Sequence, residues 1–537
     1  MSCSRASTLL PATLALALLA AAPAGANVII DWNAELLDAV RASRTNPPRA
    51  TRVMALMNVA VFDAVNGVVD AYHPYAVAPA APAGASPEAA AAAAAHAVLS
   101  AQFPARLAEL DAALAASLAA VPAGPARDAG VAWGEEVADA ILTLRADDGA
   151  DVVLGYEAPA GAGWWVPTAP AFAAALLPNW PYVDTWSIPS GTHFRQPAPP
   201  PPTSDAYRAA FDEVARLGDA DSTERTADQS ETARFWDDGP GTNTPPGHWN
   251  QILQGLANEQ GLSLVDTARL FALHGMSVAD AAIVSWDNKF HWDHWRPVTG
   301  IAEADRDGNP HTHVVAGWSS FITNPPFPAY TSGHSTFSSS SARVAALAFG
   351  RDDVPFTATS DGTPGLTRSF DGLWQAAEEA GQSRIYGGIH WQYDNQGGLR
   401  SGRAIAEHVF FHELRPKADD VAACDPSAGH LCLRDGRFAV RATWRTADGA
   451  GAATPVALPA GGGAFWFFDE ANPELTVKVH DACGAFDRYW LFAAGLTDVE
   501  VVLQVTDTHH GVTRTYFSPR GTAFTPIQDT SAFATCP

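Results

Sequence analysis

The chain has 537 residues and a formal net charge of -25, with 47% hydrophobic and 17% charged residues. The hydrophobic content is enough for large cores, and the length allows two or more domains at about 100–200 residues each. The negative charge has the wrong sign for contacts with a phosphate backbone, so the composition excludes a general nucleic-acid binder.

The first 26 residues have the pattern of a secretory signal peptide. Arg5 gives a weakly positive start, residues 9–22 form an apolar run, and residues 24–26 are a small-residue cleavage pattern. The run is shorter than the roughly 20 residues that a membrane-spanning helix needs. We therefore expect cleavage before Asn27, no transmembrane span, and a secreted or periplasmic protein.

Residues 27–415 have a mainly helical pattern. The apolar stretch at residues 51–65 predicts a mostly buried helix, and Ser86 followed by Pro87 is a helix start signal. The alanine-rich stretch that follows, up to residue 120, should be divided into two helices at Pro104, because proline interrupts helices. The proline-rich segment at residues 197–202 predicts an extended connection.

The composition changes near Pro416, and residues 420–537 read as a separate β-rich accessory domain. Short β-type runs between turn residues predict a small β-sandwich, at residues 437–444, 464–468, 475–479, 489–493, 499–505 and 513–517. Four of the five cysteines lie here (Cys424, Cys432, Cys483 and Cys536) and predict two disulfides with three possible pairings. A zinc site is the weaker alternative, because no two of them form a close CxxC pair. The predicted fold class is mainly α, with a β-sandwich-like tail.

A pair of cations lies in the segment KFHWDHWRP at residues 289–297. Lys289 and Arg296 are seven residues apart on a segment with helical periodicity, so both heads are expected on one helix face. Pro297 is expected to end this helix, because proline pushes the preceding residue away from the α region. A solvated cationic face is the alternative, but the surrounding Trp and Phe residues favour a sheltered pocket.

A Ser-Gly-His tripeptide at residues 332–334 precedes a small-residue helix that extends to about residue 349. Free N–H groups at a helix start bind anions, Gly333 lets the backbone approach closely, and Ser332 adds a hydroxyl donor. His334 is then suited to act as a general acid or base beside a bound anion. An isolated tripeptide of this kind is more often merely a helix cap.

A third fragment places Arg384 six residues before His390, across a Gly-Gly pair that we expect to be flexible. His390 is expected to begin a helix, so that Asp394, one turn on, holds its Nδ1–H and leaves Nε2 as a nucleophile or metal ligand. Taken alone, this is an ordinary intrahelical pair. Together the three fragments supply three cations, two imidazoles and a donor-rich turn, which predicts a site for an oxyanion such as phosphate or vanadate.

In this order and spacing, the three fragments resemble the signature of vanadium-dependent haloperoxidases and type 2 phosphatidic acid phosphatases. The resemblance is strongest over residues 228–414, and its flanking residues at 280–286 and 325–330 are similar to the chloroperoxidase-like branch. It implies a helical-bundle catalytic domain over residues 27–415. Thr331 is a departure, because the family usually has proline there.

The resemblance also implies a cofactor and its ligands. Vanadate, as vanadium(V), would bind through its metal to His390 Nε2, supported by Asp394. Its oxygens would be neutralised by a cage whose members are Lys289, Arg296, Ser332, Gly333, His334 and Arg384.

By the same resemblance, the activity is oxidation of a halide by hydrogen peroxide to hypohalous acid, with a small organic acceptor. His334, oriented by Asp238, would deprotonate hydrogen peroxide, and Lys289 would polarise the peroxide. Trp286 and Phe327 would border the halide site.

The alternative activity is that of a secreted acid phosphatase that needs no cofactor. The same cations would bind phosphate as part of the substrate, and His390 would attack it to give a phosphohistidine. The crowded aromatic approach through Trp286 and Phe327 favours small reactants such as halide and peroxide. A non-enzymatic binding or adhesion protein is disfavoured by the completeness of the cationic set.

Overall fold

The computed structural model describes residues 27–78, 80–159, 161–417, 424, 426, 429–434, 436–458, 461–486, 488–508 and 511–536. The predicted signal peptide lies outside the described residues. The α-helices are α1 (Val28–Ala42), α2 (Pro47–Val69), α3 (Pro87–Gln102), α4 (Leu107–Ala119), α5 (Pro125–Leu144), α6 (Asp205–Leu217), α7 (Ala227–Phe235), α8 (Thr244–Glu259), α9 (Leu264–Trp292), α10 (Pro297–Ala302), α11 (Gly333–Phe349), α12 (Leu373–Tyr386), α13 (Gln392–His412) and the short α14 (Cys483–Phe486).

Most β-strands lie in the last part of the chain. They are β1 (Phe356–Thr359), β2 (Thr367–Phe370), β3 (Leu431–Leu433), β4 (Phe438–Arg445), β5 (Ala450–Ala452), β6 (Thr454–Leu458), β7 (Gly462–Trp466), β8 (Leu475–Asp481), β9 (Tyr489–Gly495), β10 (Glu500–Asp507), β11 (Val512–Ser518) and β12 (Ile527–Phe533). The predicted fold class, mainly α followed by a β-rich tail, is confirmed.

The N-terminal helices pack around α2, which is mostly apolar and is buried on almost every side, including its polar residues Asn58 and Asp63. By length and composition α2 is the one described helix that could cross a membrane, but most of it is buried inside the fold. The predicted start of α3 is correct, since Ser86 Oγ accepts the Ala89 N–H at 3.2 Å. The predicted division at Pro104 is also correct, because α3 ends at Gln102 and a 3₁₀ turn at Pro104–Arg106 leads into α4.

The close approach of α11 and α13 positions the site. Both helices present small residues to each other, and Gly398 and Gly402 of α13 lie directly against the α11 backbone. A Cβ added at Gly402 would lie 2.1 Å from the Thr336 carbonyl oxygen, and one at Gly398 would lie 2.7 Å from the Ser332 carbonyl oxygen. Only glycine allows this spacing, and it brings the start of α11 beside the segment that precedes α13.

Three local expectations were wrong. Helix α9 ends at Trp292, with Asp293 in the left-handed region at φ 44°, so Lys289 and Arg296 do not share one helix. Pro297 begins α10 instead of ending a helix, because proline suits the first helical position and Arg296 before it is extended. His390 lies two residues before α13, which begins at Gln392.

The Gly-Gly pair after Arg384 is tightly packed, not flexible. Gly388 has φ +76°, and a Cβ there would lie 2.2 Å from the Gly218 carbonyl oxygen. The pair therefore makes a close turn against the end of α6, which holds the chain rigidly between Arg384 and His390.

The β-rich tail consists of two five-stranded antiparallel sheets. One has the order β11-β10-β4-β3 with β5 also paired to β4, and the other has the order β12-β9-β8-β7-β6. Side chains from both sheets, such as Leu503 and Leu491, form one apolar core, as in a sandwich. The six predicted runs correspond to β4, β7, β8, β9, β10 and β11, whereas β3, β5, β6 and β12 were missed. The four cysteines form two disulfides, Cys424–Cys432 and Cys483–Cys536.

Candidate functional site: a buried oxyanion cleft

Lys289 lies in the last turn of α9 and is completely buried. Its Nζ donates to three main-chain carbonyl oxygens, those of Pro328 at 3.0 Å, Ala329 at 3.1 Å and Thr331 at 2.6 Å. Burial, and then the nearby Arg296 charge, lower the pKa of Lys289 well below its usual value. The ammonium is thus held in place by a carbonyl-lined loop that contributes no full negative charge.

Arg296 is also completely buried, and it joins two of the sequence fragments. Its Nε donates to the Phe327 carbonyl at 3.0 Å and its Nη1 to the Ile389 carbonyl at 2.8 Å. The same Nη1 lies 3.1 Å from His390 Nε2. Burial lowers the pKa of Arg296, although Asp394 opposes this shift. The guanidinium therefore faces the imidazole that was predicted to be the metal ligand.

The start of α11 supplies neutral donors. Ser332 is the N-cap, and its Oγ accepts the Ser335 N–H at 3.3 Å, which leaves the hydroxyl hydrogen free to be donated elsewhere. A Cβ at Gly333 would lie 3.5 Å from the Phe337 ring and 3.9 Å from the Trp286 ring. These are ordinary contacts, so the packing tolerates a side chain there, and glycine instead keeps the approach to the helix start open.

His334 lies on the first turn of α11 and was predicted to act as the acid or base. The main-chain carbonyls of Trp236 and Asp237 act on its ring and favour the protonated form, and its Nε2 is buried with no partner. Burial, followed by the positive charge of Arg384, lowers the pKa of His334 well below its usual value. The imidazole is therefore neutral and has one unpaired nitrogen directed into the protein.

Asp238 is paired with His248, whereas the family resemblance implies a pair with His334. Its two carboxylate oxygens each lie 3.2 Å from His248 Nδ1, and both side chains are fully buried. Asp238 has a left-handed backbone at φ 46° and is directed toward α8, where His248 lies one turn after the helix start. The sequence analysis missed His248. Its only signal in the sequence is a spacing of ten residues from Asp238, which by itself does not predict that the two side chains pair.

Arg384 lies in the last turn of α12, and its side chain reaches the segment that contains Trp236 and Asp237. Its Nη1 donates to the Trp236 carbonyl at 2.8 Å, its Nη2 lies 3.7 Å from Asp237 Oδ1, and its Nε is buried without a partner. Burial lowers the pKa of Arg384, and the charges of Asp237 and Asp238 raise it. Asp237 is a second residue of the cleft that the sequence analysis missed.

His390 and Asp394 form the predicted pair. Asp394 Oδ2 lies 2.9 Å from His390 Nδ1 and also accepts the Trp391 N–H at 3.0 Å. The carboxylate thereby holds the proton on Nδ1 and leaves the lone pair on Nε2. Burial, and then the charges of Arg296, Lys289 and Arg384, lower the pKa of His390. Burial raises the pKa of Asp394, while the Trp391 N–H and the Lys289 and Arg296 charges lower it.

An aromatic pair lines the cleft next to the cations. The Trp286 and Phe327 rings have centroids 4.9 Å apart, and Trp286 Nε1 donates to the Leu176 carbonyl at 3.1 Å. Lys289 Nζ lies 4.9 Å from the Phe327 ring centroid, and the Arg296 guanidinium lies 5.0 Å from it. The rings therefore form an apolar wall against two of the charges.

The unpaired charge in this cleft fits an oxyanion. Within the described residues, the only carboxylate within 4.0 Å of a nitrogen of Lys289, Arg296 or Arg384 is that of Asp237, at 3.7 Å. Buried cations without counter-charges are costly, and buried donors without partners are uncommon. Arg384 Nε is such a donor, and His334 Nε2 is a buried acceptor that also lacks a partner. A tetrahedral or trigonal-bipyramidal oxyanion would supply the missing negative charge and the acceptors.

Comparisons with known proteins point to one group of enzymes. Residues 269–416 match the family model described as the second helical-bundle domain of VCPO. The chain is 27% identical over 368 residues to the vanadium chloroperoxidase of Curvularia inaequalis, covering 53% of this chain and 60% of that protein. The chain therefore spans less than two thirds of the length of this relative.

Solved structures give the same result. The crystal structure of the first bacterial vanadium-dependent iodoperoxidase superposes with a TM-score of 0.63 at 27% identity, covering 71% of this chain and 95% of that one. A holo-type bacterial vanadium-dependent chloroperoxidase has a TM-score of 0.55 at 16% identity, covering 68% and 92% of the two chains, and this likeness shows the fold alone. The resemblance found in the sequence is confirmed: this chain is similar in sequence and in fold to the vanadium-dependent haloperoxidases.

Proposed function

We propose that the protein is a vanadium-dependent haloperoxidase that oxidises a halide with hydrogen peroxide to hypohalous acid, with a small organic molecule as the acceptor. The observation that carries the proposal is that three buried cations, Lys289, Arg296 and Arg384, lie close enough to His390 to lower its pKa together, while Arg384 Nε and His334 Nε2 have no partner. Its main external support is that relatives at 27% identity are named as a vanadium chloroperoxidase and a vanadium iodoperoxidase.

The residues of the cleft suit vanadate. Its oxygens would be held by Lys289, Arg296, Arg384, the Ser332 hydroxyl and the N–H groups at the start of α11, and its metal would be bound by His390 Nε2. Bound vanadate supplies a Lewis acid that activates peroxide without a change of metal oxidation state. The negative charge of such an anion favours the protonated form of Lys289, whose pKa burial lowers.

His334 is suited to remove a proton from hydrogen peroxide. Its lowered pKa keeps the imidazole neutral at ordinary pH, and Nε2 is the nitrogen left free to accept the proton. The Trp236 and Asp237 carbonyls would fix the ring for this transfer. The Trp286 and Phe327 rings would limit the space beside the cations to small reactants such as a halide.

A phosphomonoesterase is the second candidate, because His390 also has the geometry of a nucleophile. Asp394 holds Nδ1–H at 2.9 Å and leaves the lone pair on Nε2, which would attack phosphorus after releasing the hydrogen bond that it accepts from Arg296 Nη1 at 3.1 Å. The same three cations would then bind the phosphate group of a substrate. The aromatic wall of Trp286 and Phe327 favours the peroxidase.

One pair of assays separates the two activities. Purified protein is incubated with orthovanadate, and halogenation of a cyclic dione is followed with hydrogen peroxide and chloride, bromide or iodide. Vanadate-free protein is tested in parallel with nitrophenyl phosphate. We expect vanadate-dependent halogenation; phosphate hydrolysis with no halogenation would contradict the proposal and support the phosphatase.

Two histidine variants test the site. His390→Ala should abolish either activity, while His334→Ala should lose turnover and retain most vanadate binding. His313 lies on an exposed loop, and His313→Ala is the matched control that should retain full activity. Full activity of both site variants would contradict the assignment.

We also propose that the protein is exported by a signal peptide that is cleaved before Asn27. N-terminal sequencing of protein secreted by an expression host tests this. A mature protein that still begins at Met1 would contradict it.

A further inference from the structure

One carboxylate faces the cationic cleft from a position in which it can move. We propose that Asp237 competes with the oxyanion for Arg384. The Asp237 carboxylate attracts the guanidinium in the free protein and moves away from it when an oxyanion binds. This inference rests on the proposed function, because it assumes that the cleft binds an oxyanion.

The contact between the two side chains is loose. Asp237 Oδ1 lies 3.7 Å from Arg384 Nη2, which is longer than the 2.7 Å contact between Arg195 and Asp287 elsewhere in the protein. At 3.7 Å the pair has electrostatic attraction but not a short charge-assisted hydrogen bond. A ligand that offers oxygens at hydrogen-bonding distance would therefore bind the guanidinium better than Asp237 does.

The exposed fractions of the Asp237 and Arg384 side chains indicate which of the two can move. The Asp237 side chain is 41% exposed, whereas that of Arg384 is 3% exposed. Arg384 is further anchored by the bond from Nη1 to the Trp236 carbonyl at 2.8 Å. The carboxylate can turn into water and be solvated there, while the guanidinium must stay in the cleft.

Asp238, the next residue, differs from Asp237 both in its exposure and in its contacts. Both of its oxygens lie 3.2 Å from His248 Nδ1, and its side chain is completely buried. Its charge is fixed in place, and it contributes a constant attraction to Arg384. Of the two adjacent acids, only Asp237 has both the exposure and the loose contact of a displaceable group.

The remaining cations have no such competitor. Lys289 and Arg296 donate to main-chain carbonyls, and within the described part of the chain neither has a carboxylate within 4.0 Å. The charge of Asp237 therefore acts directly against an incoming anion. Removing that charge should strengthen the binding of any oxyanion that uses Arg384.

The test measures binding, not turnover. Full-length protein freed of oxyanions is titrated with orthovanadate, and separately with inorganic phosphate, by calorimetry in a buffer without phosphate. We expect Asp237→Asn to bind both anions roughly three- to fivefold more tightly, the effect of losing one partly exposed charge. Asp237→Glu, which keeps the charge, should bind within about twofold of the wild type.

Asp448 provides the matched control, because its side chain is exposed in the β-rich tail. Asp448→Asn makes the same change in net charge and should leave both affinities unchanged. Unchanged or weaker binding in Asp237→Asn, with a normal unfolding temperature, would overturn the inference while leaving the proposed function intact. A wild type that binds neither anion would overturn both.

Discussion

Replacing Lys289 by methionine should separate the binding of the oxyanion from the stability of the fold. The substitution removes a buried charge and nearly keeps the shape of the side chain. Two unit charges at 4 Å attract by about 4 kcal/mol at an effective dielectric constant of 20, and removing one partner of a buried pair costs about 2–5 kcal/mol. We expect the affinity for vanadate to fall at least about 100-fold, equivalent to about 2.8 kcal/mol.

The stability of the free protein should change little, for reasons that oppose each other. The Ala329 and Thr331 carbonyls lose their donor, whereas the Pro328 carbonyl still has Arg296 Nη2 at 3.5 Å. Against this loss, the variant no longer buries the charge whose desolvation lowers the pKa of Lys289. Replacing buried ions by apolar residues of similar volume is often neutral or stabilising. We expect an unfolding temperature equal to or above that of the wild type.

Two measurements check these opposite effects. Calorimetric titration with orthovanadate gives the affinity, and thermal unfolding without vanadate gives the stability. Lys478 lies exposed on β8, so Lys478→Met is a matched control that should change neither quantity. A Lys289→Met variant that folds normally and binds vanadate within threefold of the wild type would refute the assignment of Lys289 to the anion.

Three further predictions concern the frame of the site. Gly402→Ala should destabilise the protein by about 2–4 kcal/mol in urea unfolding, because its Cβ would lie 2.1 Å from a main-chain oxygen of α11. Gly255→Ala is the control, because Gly255 has open space around it. Equal stability of the two variants would contradict this packing. Burial lowers the pKa of His274 to about 3, below its unfolded value, so this group removes stability as the pH falls below about 6.5. The loss of unfolding free energy between pH 7.5 and 5 should therefore be about 2 kcal/mol smaller in His274→Gln, and an unchanged loss would contradict the shift. Asp394→Ala should weaken vanadate binding by about 10- to 100-fold in the same titration, because it removes the carboxylate that accepts the Nδ1–H and orients His390, and an unchanged affinity would exclude that role.

Local signals in the sequence were enough for several elements. The cap at Ser86 and the break at Pro104 depend only on interactions within about four residues, so both were predictable. The apolar face of each strand in the tail follows from alternation along the strand itself. The strands β3 and β5 were missed because they have three residues each, β6 because it contains proline, and β12 because its polar residues do not alternate and its pairing with β9 is irregular.

The chemical types at the site were also predictable, because a set of three cations, two histidines and a Ser-Gly turn has few uses apart from binding an anion. The contacts that bring these groups together in the folded protein were not predictable. Lys289 lies on α9 and Arg296 in the extended backbone before α10, and the carbonyls around Phe327 and Thr331 hold them together.

The amino-acid sequence by itself determined which groups are available and where the helix starts and breaks lie, since these properties depend on neighbours along the chain. Only the tertiary structure decided the pairing of Asp238 with His248 and the position of Asp237 beside Arg384. Those choices depend on how α7, α8 and α12 pack against one another. The packing of α7 against α12 joins segments more than a hundred residues apart. Asp238 and His248 are only ten residues apart, but their pairing spans the irregular backbone between α7 and α8, which no helix or strand period describes.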